Sequence, residues 1–370
     1  MLRNAFTRFF PTPDLLSANS FGIDISEESI KFIELVLTSS GIRPRRHGER
    51  SIPAGVMESG KIKDVKKMEE LLLALRKEEG IRYVRVSLPE QQVYLYKFEL
   101  DKEGLKSIRE SIELSLEEHI PVPAEDAIFD YEIIGENDKT LDIQVAAIPK
   151  NVIENYLTVF RNARISVRSF ELEAQAIFRS VVKKGDMNAY MIVDFGEKRT
   201  GIFIVSGGLV VFTSTLDIGG FTLNTMLQKT FNISGEQANK LKVEYGLQRN
   251  MENKEVFPVL LNSVSILRDE IAKHFMYWQT HKDEFGKENP PIKKIILCGG
   301  DSNLIGLSEY LSTSMKTPVE MANVWINTEN SENQVPTMNS KRALSFAASL
   351  GLALGDFDRD RWLTNDDLFA

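Results

Sequence analysis

The strongest constraint on the fold is a strand–turn–strand pattern that the sequence contains twice. In each copy an apolar strand ends in an aspartate, a short polar turn follows, and a second apolar strand returns. The copies are Phe21 to Leu37, with Asp24, and 189–216, with Asp194. A duplicated unit of this type predicts two related α/β halves. We therefore expect two lobes, each opening with a β-hairpin that carries an acid at the end of its first strand.

Length and composition narrow the class of protein. The chain has 370 residues, of which 42% are hydrophobic and 26% charged, as expected for a globular protein with more than one core. Its formal charge of −8 gives no overall attraction for nucleic acid or an anionic membrane. The single cysteine, Cys298, cannot form an internal disulfide or a thiolate zinc site. A reducing cytoplasm is the expected location.

The sequence gives no sign of a membrane anchor. The longest uncharged stretch, Thr200 to Leu216, is interrupted by Gly207 and Gly208, and a spanning helix needs roughly 20 apolar residues. Residues 1–20 lack the continuous apolar core of about 7 to 15 residues that a secretory signal requires. We therefore expect no transmembrane helix and interpret 1–20 as a flexible leader.

The order of predicted strands and helices divides the rest of the chain. A helix predicted from Asp101 to Glu118 ends before Ile120-Pro121-Val122-Pro123, where two prolines prevent its continuation. A ββα pattern follows and is interpreted as an insert. The expected parts are a first lobe at 21–188 with the insert at about 98–165, a second lobe at 189–340 with a smaller helical subdomain at about 226–290, a connecting helix at 341–355 that returns to the first lobe, and an acidic tail at 356–370.

Turns with small or polar residues follow several of the apolar strands. They are Asp24 to Ser29, Asp194 to Thr200 and Cys298 to Asn303, and Gly219-Gly220 opens a helix. A phosphate chain needs closely approaching backbone amides, and a hydrated Mg²⁺ needs carboxylates nearby. Each turn alone is more often structural, and the aspartates alone can cap hairpins. Their order along the chain indicates a nucleotide site.

This order resembles the actin-like ATPase superfamily and, within it, the PilM family of type IV pilus assembly proteins, which is related to FtsA. The resemblance covers about residues 20–355. It is carried by GIDISEESIKFIEL, VDFGEKRTGIFIV, LDIGGFTLNTML and ILCGGDSNLIGL. The part that looks specific to PilM is the sequence IPVP at 120–123 together with LDIQVAAIPKNVIENYLTVFRNARI. The fold that the resemblance implies is a two-lobed, actin-like (RNase H-like) α/β fold with an FtsA/PilM-type insert.

The resemblance also implies cofactors and site residues, namely ATP and Mg²⁺ between the lobes. Asp24 and Asp194 would face the metal through its waters, and Glu173 would lie near the attacking water. The implied nucleotide-binding residues are Asp24, Ser26, Glu27, Glu28, Ser29, Lys31, Asp194, Gly196, Thr200, Gly219, Gly220, Lys242, Gly299, Gly300 and Ser302. On the residues alone, Glu173 can equally be a cleft carboxylate without a catalytic role.

Two turns depart from the family pattern. The first is Ser26-Glu27-Glu28-Ser29 instead of a glycine- and serine-rich turn. A carboxylate about 6 Å from a phosphate costs about 3 kcal/mol at an effective dielectric constant near 20. The second turn, Glu197-Lys198-Arg199, contains cations that can pair with phosphate oxygens. We expect reduced nucleotide affinity and weak or absent ATPase activity.

The function implied by the resemblance is that of a cytoplasmic adaptor at the inner membrane. It would bind the N-terminal cytoplasmic segment of PilN in a groove beside the insert, contact other pilus platform proteins, and reach the membrane only through its partner; self-association is possible. One alternative is a nucleotide-free scaffold in which Glu27 and Glu28 close the phosphate site. The other is a small-molecule kinase of the same superfamily.

Overall fold

The computed structural model describes residues 19–38, 41–249, 254–283, 285–328 and 338–357. The predicted leader at 1–20 and the acidic tail at 356–370 therefore lie almost entirely outside the described residues. Within the described ranges, no helix combines the length and the apolar character needed to cross a bilayer.

Strands and helices alternate along the chain, as the sequence predicts for an α/β protein. The strands are β1 Phe21–Ile25, β2 Ser29–Thr38, β3 Gly41–Ser51, β4 Met57–Glu58, β5 Lys61–Ile62, β6 Tyr83–Leu88, β7 Tyr94–Asp101, β8 Ala127–Glu136, β9 Thr140–Pro149, β10 Ser166–Leu172, β11 Ala189–Phe195, β12 Thr200–Ser206, β13 Leu209–Leu216, β14 Ile292–Cys298 and β15 Val319–Met321. The helices are α1 Val65–Glu79, α2 Ile108–His119, α3 Lys150–Asn162, α4 Glu173–Val181, α5 Gly220–Phe231, α6 Gly235–Tyr245, α7 Val256–Thr280, α8 Leu307–Met315, α9 Ser340–Ala343 and α10 Ala347–Leu354.

The two lobes contain sheets built on one plan. The first sheet has the strand order β10-β6-β1-β2-β3, and the second has the strand order β13-β12-β11-β14-β15. Read from its other edge, the second sheet has the same arrangement as the first. In each sheet the opening strand pairs antiparallel with its hairpin partner and parallel with a later strand, which is β6 beside β1 and β14 beside β11. The predicted duplication of an α/β unit is confirmed.

Two short helices, α4 and α10, pack against each other between the sheets. A Cβ on Gly351 of α10 would lie 1.6 Å from the carbonyl oxygen of Ala176 on α4. A Cβ on Gly22 of β1 would lie 1.9 Å from the carbonyl oxygen of Ser349 on α10. Both positions therefore require glycine, because any side chain would overlap the neighbouring backbone. The helices share one buried apolar core with strands of both lobes, so the lobes are joined by packed side chains.

A small sheet with the order β7-β9-β8 forms the insert and has its own core around α2. The predicted insert of about 98–165 differs from this unit, which covers residues 94–149. Helix α3 instead packs in the core of the first lobe, where Tyr156, Val159 and Phe160 are buried.

Two other predicted boundaries also differ. The helix predicted from Asp101 begins at Ile108, because β7 continues to Asp101 and the Ser107 hydroxyl accepts the first free N–H, that of Glu110. The helical subdomain predicted from 226 would begin inside α5, which starts at Gly220.

Candidate functional site

A cavity of about 330 Å³ lies between the lobes and is lined by the hairpin turns of both sheets. The β1–β2 turn forms one side and the β11–β12 turn the opposite side. Glu173, the first residue of α4, faces the cavity between them, and the loop after β14 contributes Gly299 and Gly300. Residues from distant parts of the sequence therefore converge on one cleft.

The two repeated aspartates lie at matching points of this cleft. Asp24 accepts a hydrogen bond from the Ser87 hydroxyl at 2.7 Å, and Asp194 accepts one from the Cys298 thiol at 3.7 Å. Ser87 and Cys298 occupy the parallel strand beside each opening strand. Burial raises the pKa of Asp194 to about 6, and the charge of Asp24 adds to the rise. Both carboxylates line the same cavity, as the repeat pattern predicts.

Glu173 and Glu90 place two further carboxyl groups in the cavity. Burial raises the pKa of Glu173 well above its ordinary value, and neighbouring carboxylates, led by Asp24, raise it further. Burial also raises the pKa of Glu90 to about 7, although the N–H of Ala174 and the hydroxyl of Thr213 both bond to it and act in the opposite direction. The Ala174 N–H donates to Glu90 Oε1 at 2.7 Å. A carboxyl group whose pKa is near 7, such as that of Glu90, can hold or release a proton near neutral pH.

The first turn is folded by its own serines. The Ser26 hydroxyl accepts the N–H of Ser29 at 3.1 Å, and the Ser26 N–H donates to the Ser29 carbonyl at 2.9 Å. Lys31 then donates to the Ser29 hydroxyl at 3.0 Å. Glu27 and Glu28 lie at the tip of this turn and line the cavity.

The second turn is held by the start of α5. The Gly220 N–H donates to the Gly196 carbonyl at 3.0 Å, and the Phe221 N–H donates to the Glu197 carbonyl at 2.7 Å. A Cβ on Gly219 would lie 2.3 Å from the Glu197 carbonyl oxygen, so glycine permits this close approach. Gly219 and Gly220 therefore position the turn and do not line the cavity, and their predicted contact with a nucleotide stays a prediction.

Thr200, Ser302 and Lys242 also do not line the cavity. Thr200 is buried and its hydroxyl donates to the Ile218 carbonyl at 2.6 Å. The Ser302 hydroxyl donates to the Cys298 carbonyl. Lys242 is buried and its ammonium group lies 2.5 Å from Asp301 Oδ1, so it neutralises a carboxylate that faces the cavity. These three side chains support the cleft from behind.

Sequence reasoning missed Ser87 and Glu90 as cavity residues, and it included Asp301 only as part of the turn from Cys298 to Asn303. Ser87 lies near the end of β6, Glu90 follows β6, and Asp301 follows β14. The signal that was available is their position directly at or after the end of a strand that runs parallel to an opening strand, because such ends meet at one edge of a sheet.

The donor set is suitable for a magnesium ion held through water. Among the described residues, no three histidine, cysteine, aspartate or glutamate side chains lie close enough together to hold a metal directly. Mg²⁺ commonly retains several waters and is bound by one or two carboxylates together with substrate phosphates. Asp24 and Asp194 meet that requirement.

The duplicated lobes, the matched aspartates and the cleft between them define an actin-like protein. The family model of the type IV pilus assembly protein PilM matches residues 22–357. The chain therefore belongs to the PilM family.

Several solved structures share the fold. A PilM–PilN type IV pilus biogenesis complex has a TM-score of 0.74 at 19% identity and covers 92% of this chain and 99% of that one. The ethanolamine utilization protein EutJ from Carboxydothermus hydrogenoformans has a TM-score of 0.55 at 15% identity, over 93% of this chain and 91% of that one. MreB5 of Spiroplasma citri bound to ADP has a TM-score of 0.51 at 14% identity, over 84% and 94% respectively. At these identities the likeness shows the fold.

Proposed function

We propose that this chain is a nucleotide-binding adaptor of the type IV pilus assembly platform that acts at the cytoplasmic face of the inner membrane. The observation that carries the proposal is the convergence of Asp24 and Asp194, one from each lobe, on a single cavity. A bound Mg²⁺–ATP would bridge the lobes there. MreB5, which shares the fold, is described as bound to ADP.

Different groups of cavity residues would bind the metal, the phosphates and the adenosine. Asp24 and Asp194 would accept hydrogen bonds from the waters of the metal, which supplies positive charge to the phosphates. The backbone of the turns at 26–29 and 196–199 would face the phosphate oxygens, together with Lys198 and Arg199. Gly299 and Gly300 line the cavity without side chains and leave room for the adenosine.

Glu173 is the candidate for placing an attacking water. Burial, followed by the charge of Asp24, raises its pKa well above the ordinary value for a glutamate. We expect weak or absent hydrolysis, which suits an adaptor whose nucleotide-bound state persists.

The second part of the proposal is a docking groove for the N-terminal segment of a PilN-like membrane protein. A related structure is a PilM–PilN complex. A second cavity of about 510 Å³ borders the insert, and its apolar floor includes Ile42, Phe178 and Leu354. Gln144 of the insert also lines it, and the buried Oε1 atom of Gln144 has no hydrogen-bond partner among the described residues. An extended peptide offers both apolar side chains and backbone N–H donors to such a site.

The two cavities are connected by the same pair of helices. Helix α4 has Glu173 in the nucleotide cavity and Phe178 in the second cavity. Helix α10 has Ala347 in the first and Leu354 in the second. A change in the separation of the lobes would therefore move the walls of both cavities together.

Calorimetric titration with the N-terminal peptide of the PilN-like partner, with and without Mg²⁺–ATP, tests the docking proposal. We expect binding that Ile42→Glu weakens at least tenfold. Leu37→Glu is the matched control, because Leu37 lies opposite Ile42 on the neighbouring strand and is 66% exposed outside the cavity. Absence of peptide binding under both conditions would contradict this part.

Titration with a fluorescent ATP analogue tests the nucleotide proposal separately. We expect magnesium-dependent binding that Asp24→Ala and Asp194→Ala both abolish. If wild-type protein binds the peptide but no nucleotide, the chain is a nucleotide-free scaffold of the same fold.

A further inference from the structure

The two hairpin turns carry opposite net charges and contact each other across the nucleotide cavity. Glu197 of the second turn also faces Glu28, and burial together with this neighbouring carboxyl group raises the pKa of Glu28 to about 7. Lys198 Nζ of the second lobe lies 3.5 Å from Glu28 Oε1 of the first lobe. Arg199 Nη1 lies 3.7 Å from Glu27 Oε1. These pairs join the two lobes directly at the place where a phosphate chain would have to lie.

Each turn is also anchored on its own lobe. Glu27 Oε1 accepts the backbone N–H of Ser59 at 2.7 Å, which fixes the carboxylate on the first lobe. The Lys198 ammonium group lies 3.8 Å from the centroid of the Phe221 ring at the start of α5, which fixes the cation on the second lobe. The contact therefore links two supported positions and not two loose side chains.

Arg199 of the second turn retains unused hydrogen-bonding capacity. Nη1 of Arg199 is buried and has no hydrogen-bond partner within the described part of the chain, because its contact with Glu27 is longer than a hydrogen bond. A buried donor of this type is available to a better acceptor in the cleft. Phosphate oxygens are acceptors of the required charge and geometry.

The cavity is lined by more acidic than basic side chains, which affects how a phosphate chain could replace the carboxylates as partner of the cations. Of the cavity-lining residues that the structure describes, nine are aspartate or glutamate and three are lysine or arginine. The third cation, Lys31, lies 3.6 Å from Glu49 on its own lobe. A polyphosphate must therefore compete with internal carboxylates for every cation that it meets.

We propose that Glu27 and Glu28 form an ionic latch with Lys198 and Arg199 that holds the cleft closed without nucleotide and is exchanged for the phosphates of Mg²⁺–ATP. The inference rests on the proposed nucleotide site. Lys198 and Arg199 are then phosphate-binding residues, and Glu27 and Glu28 are competitors that set the affinity. AMP, with one phosphate, cannot replace both carboxylates and binds without opening the latch.

Calorimetric titration of Mg²⁺–ATP into latch variants tests the exchange. We expect Glu27→Gln/Glu28→Gln to bind at least tenfold more tightly than wild type, with AMP affinity changed less than threefold. Glu49→Gln is the matched control, because it removes a carboxylate from the same cavity without affecting a contact between lobes, and its affinity should change less than threefold.

A double-mutant cycle separates a latch from simple repulsion of phosphate. In a Lys198→Gln/Arg199→Gln background, we expect Mg²⁺–ATP to bind more weakly and the gain from Glu27→Gln/Glu28→Gln to disappear. An equal gain in both backgrounds would overturn the latch, because the carboxylates would then act on the ligand and not through the cations.

A distance measurement without nucleotide tests the latch independently of the proposed function. Spin labels at Lys63→Cys and Glu244→Cys, which are exposed on different lobes, report the separation of the lobes, and the native Cys298 is buried. We expect a longer or broader distance distribution in the Glu27→Gln/Glu28→Gln variant than in wild type. An unchanged distribution overturns the latch, whereas a broadened one without Mg²⁺–ATP binding in any variant supports the latch and contradicts the nucleotide proposal.

Discussion

In the first lobe, Asp24 at the end of the opening strand accepts a hydrogen bond from the Ser87 hydroxyl at 2.7 Å. In the second lobe, the corresponding Asp194 accepts a hydrogen bond from the Cys298 thiol at 3.7 Å. The strand register places Lys31 opposite Asp24 and Gly201 opposite Asp194. The two aspartates therefore have the same backbone position but different polar surroundings. Duplication explains where the carboxylates lie, and the neighbouring side chains differ between the lobes.

The acidic residues that follow the parallel strands β6 and β14 also differ between the lobes. Glu90 comes three residues after Ser87, and Asp301 comes three residues after Cys298. Glu90 bonds to neutral donors, the Ala174 N–H and the Thr213 hydroxyl, whereas Asp301 bonds to the Lys242 ammonium group. The first lobe thus buries an uncompensated carboxyl group, and the second buries an ion pair.

The opening strands also differ in how closely α10 approaches them. Gly22 lies against the backbone of α10, whereas the matching residue of the second lobe, Ile192, is a fully buried core side chain. The first strand therefore cannot accept the residue that its counterpart carries.

Gly22→Val is expected to have the largest effect on stability. The new Cβ would lie 1.9 Å from the Ser349 carbonyl oxygen, so α10 must move away from β1. We expect the free energy of unfolding to fall by more than about 3 kcal/mol. Urea denaturation measures the loss. Ile192→Val is the control and should cost about 1 kcal/mol; equal losses at the two positions would contradict the comparison.

Asp301→Asn should have the second-largest effect on stability, and we expect the free energy of unfolding to fall by about 3 kcal/mol. The substitution leaves the buried Lys242 ammonium group without its carboxylate. Urea denaturation at pH 8 checks the prediction. A loss below about 1 kcal/mol would mean that the ion pair does not balance the charge of Lys242.

Glu90→Gln should have the opposite sign at pH 8. Burial raises the pKa of Glu90 from 4.5 to about 7, so the unfolded chain releases the proton first and the folded state loses stability as the pH rises from 4.5 to 7. Glutamine removes this cost and keeps an acceptor for the Ala174 N–H. We expect a gain of about 2 kcal/mol at pH 8.

The control for the Glu90→Gln prediction is the same stability measurement at low pH. At pH 4.5 and below, the Glu90 carboxyl is increasingly protonated in both states, so the gain from Glu90→Gln should shrink towards zero. A gain independent of pH would show that packing, and not ionisation, is responsible.

Cys298→Ser makes the second lobe resemble the first and should have the smallest effect. A hydroxyl is a stronger donor than a thiol, so the pKa of Asp194 should fall from about 6 by about one unit, equivalent to about 1.4 kcal/mol. Carboxyl-detected NMR titration measures the shift. Cys298→Ala removes the donor and should move the pKa in the opposite direction; shifts of the same sign in both variants would exclude the thiol as the cause.

The sequence was informative wherever a repeated pattern fixes backbone position. The matched aspartates, the two sheets and the family are recovered from it, because strand periodicity and turn residues determine where each strand ends. The position of Thr200, Gly219, Gly220 and Lys242 outside the cavity lining was not recovered. Whether a side chain lines a cleft or supports it depends on contacts with residues far away in sequence, such as Asp301 beside Lys242. The insert boundary was also missed, because the apolar face of α3 gives no information about which core receives it.

A crystal structure grown with ATP and Mg²⁺ tests the central claim most directly. We predict a nucleotide in the cavity between the lobes, with a metal ion whose waters contact the carboxylates of both Asp24 and Asp194, and with Lys198 and Arg199 turned to the phosphates. A nucleotide bound elsewhere, or one whose metal contacts neither aspartate, would contradict the account.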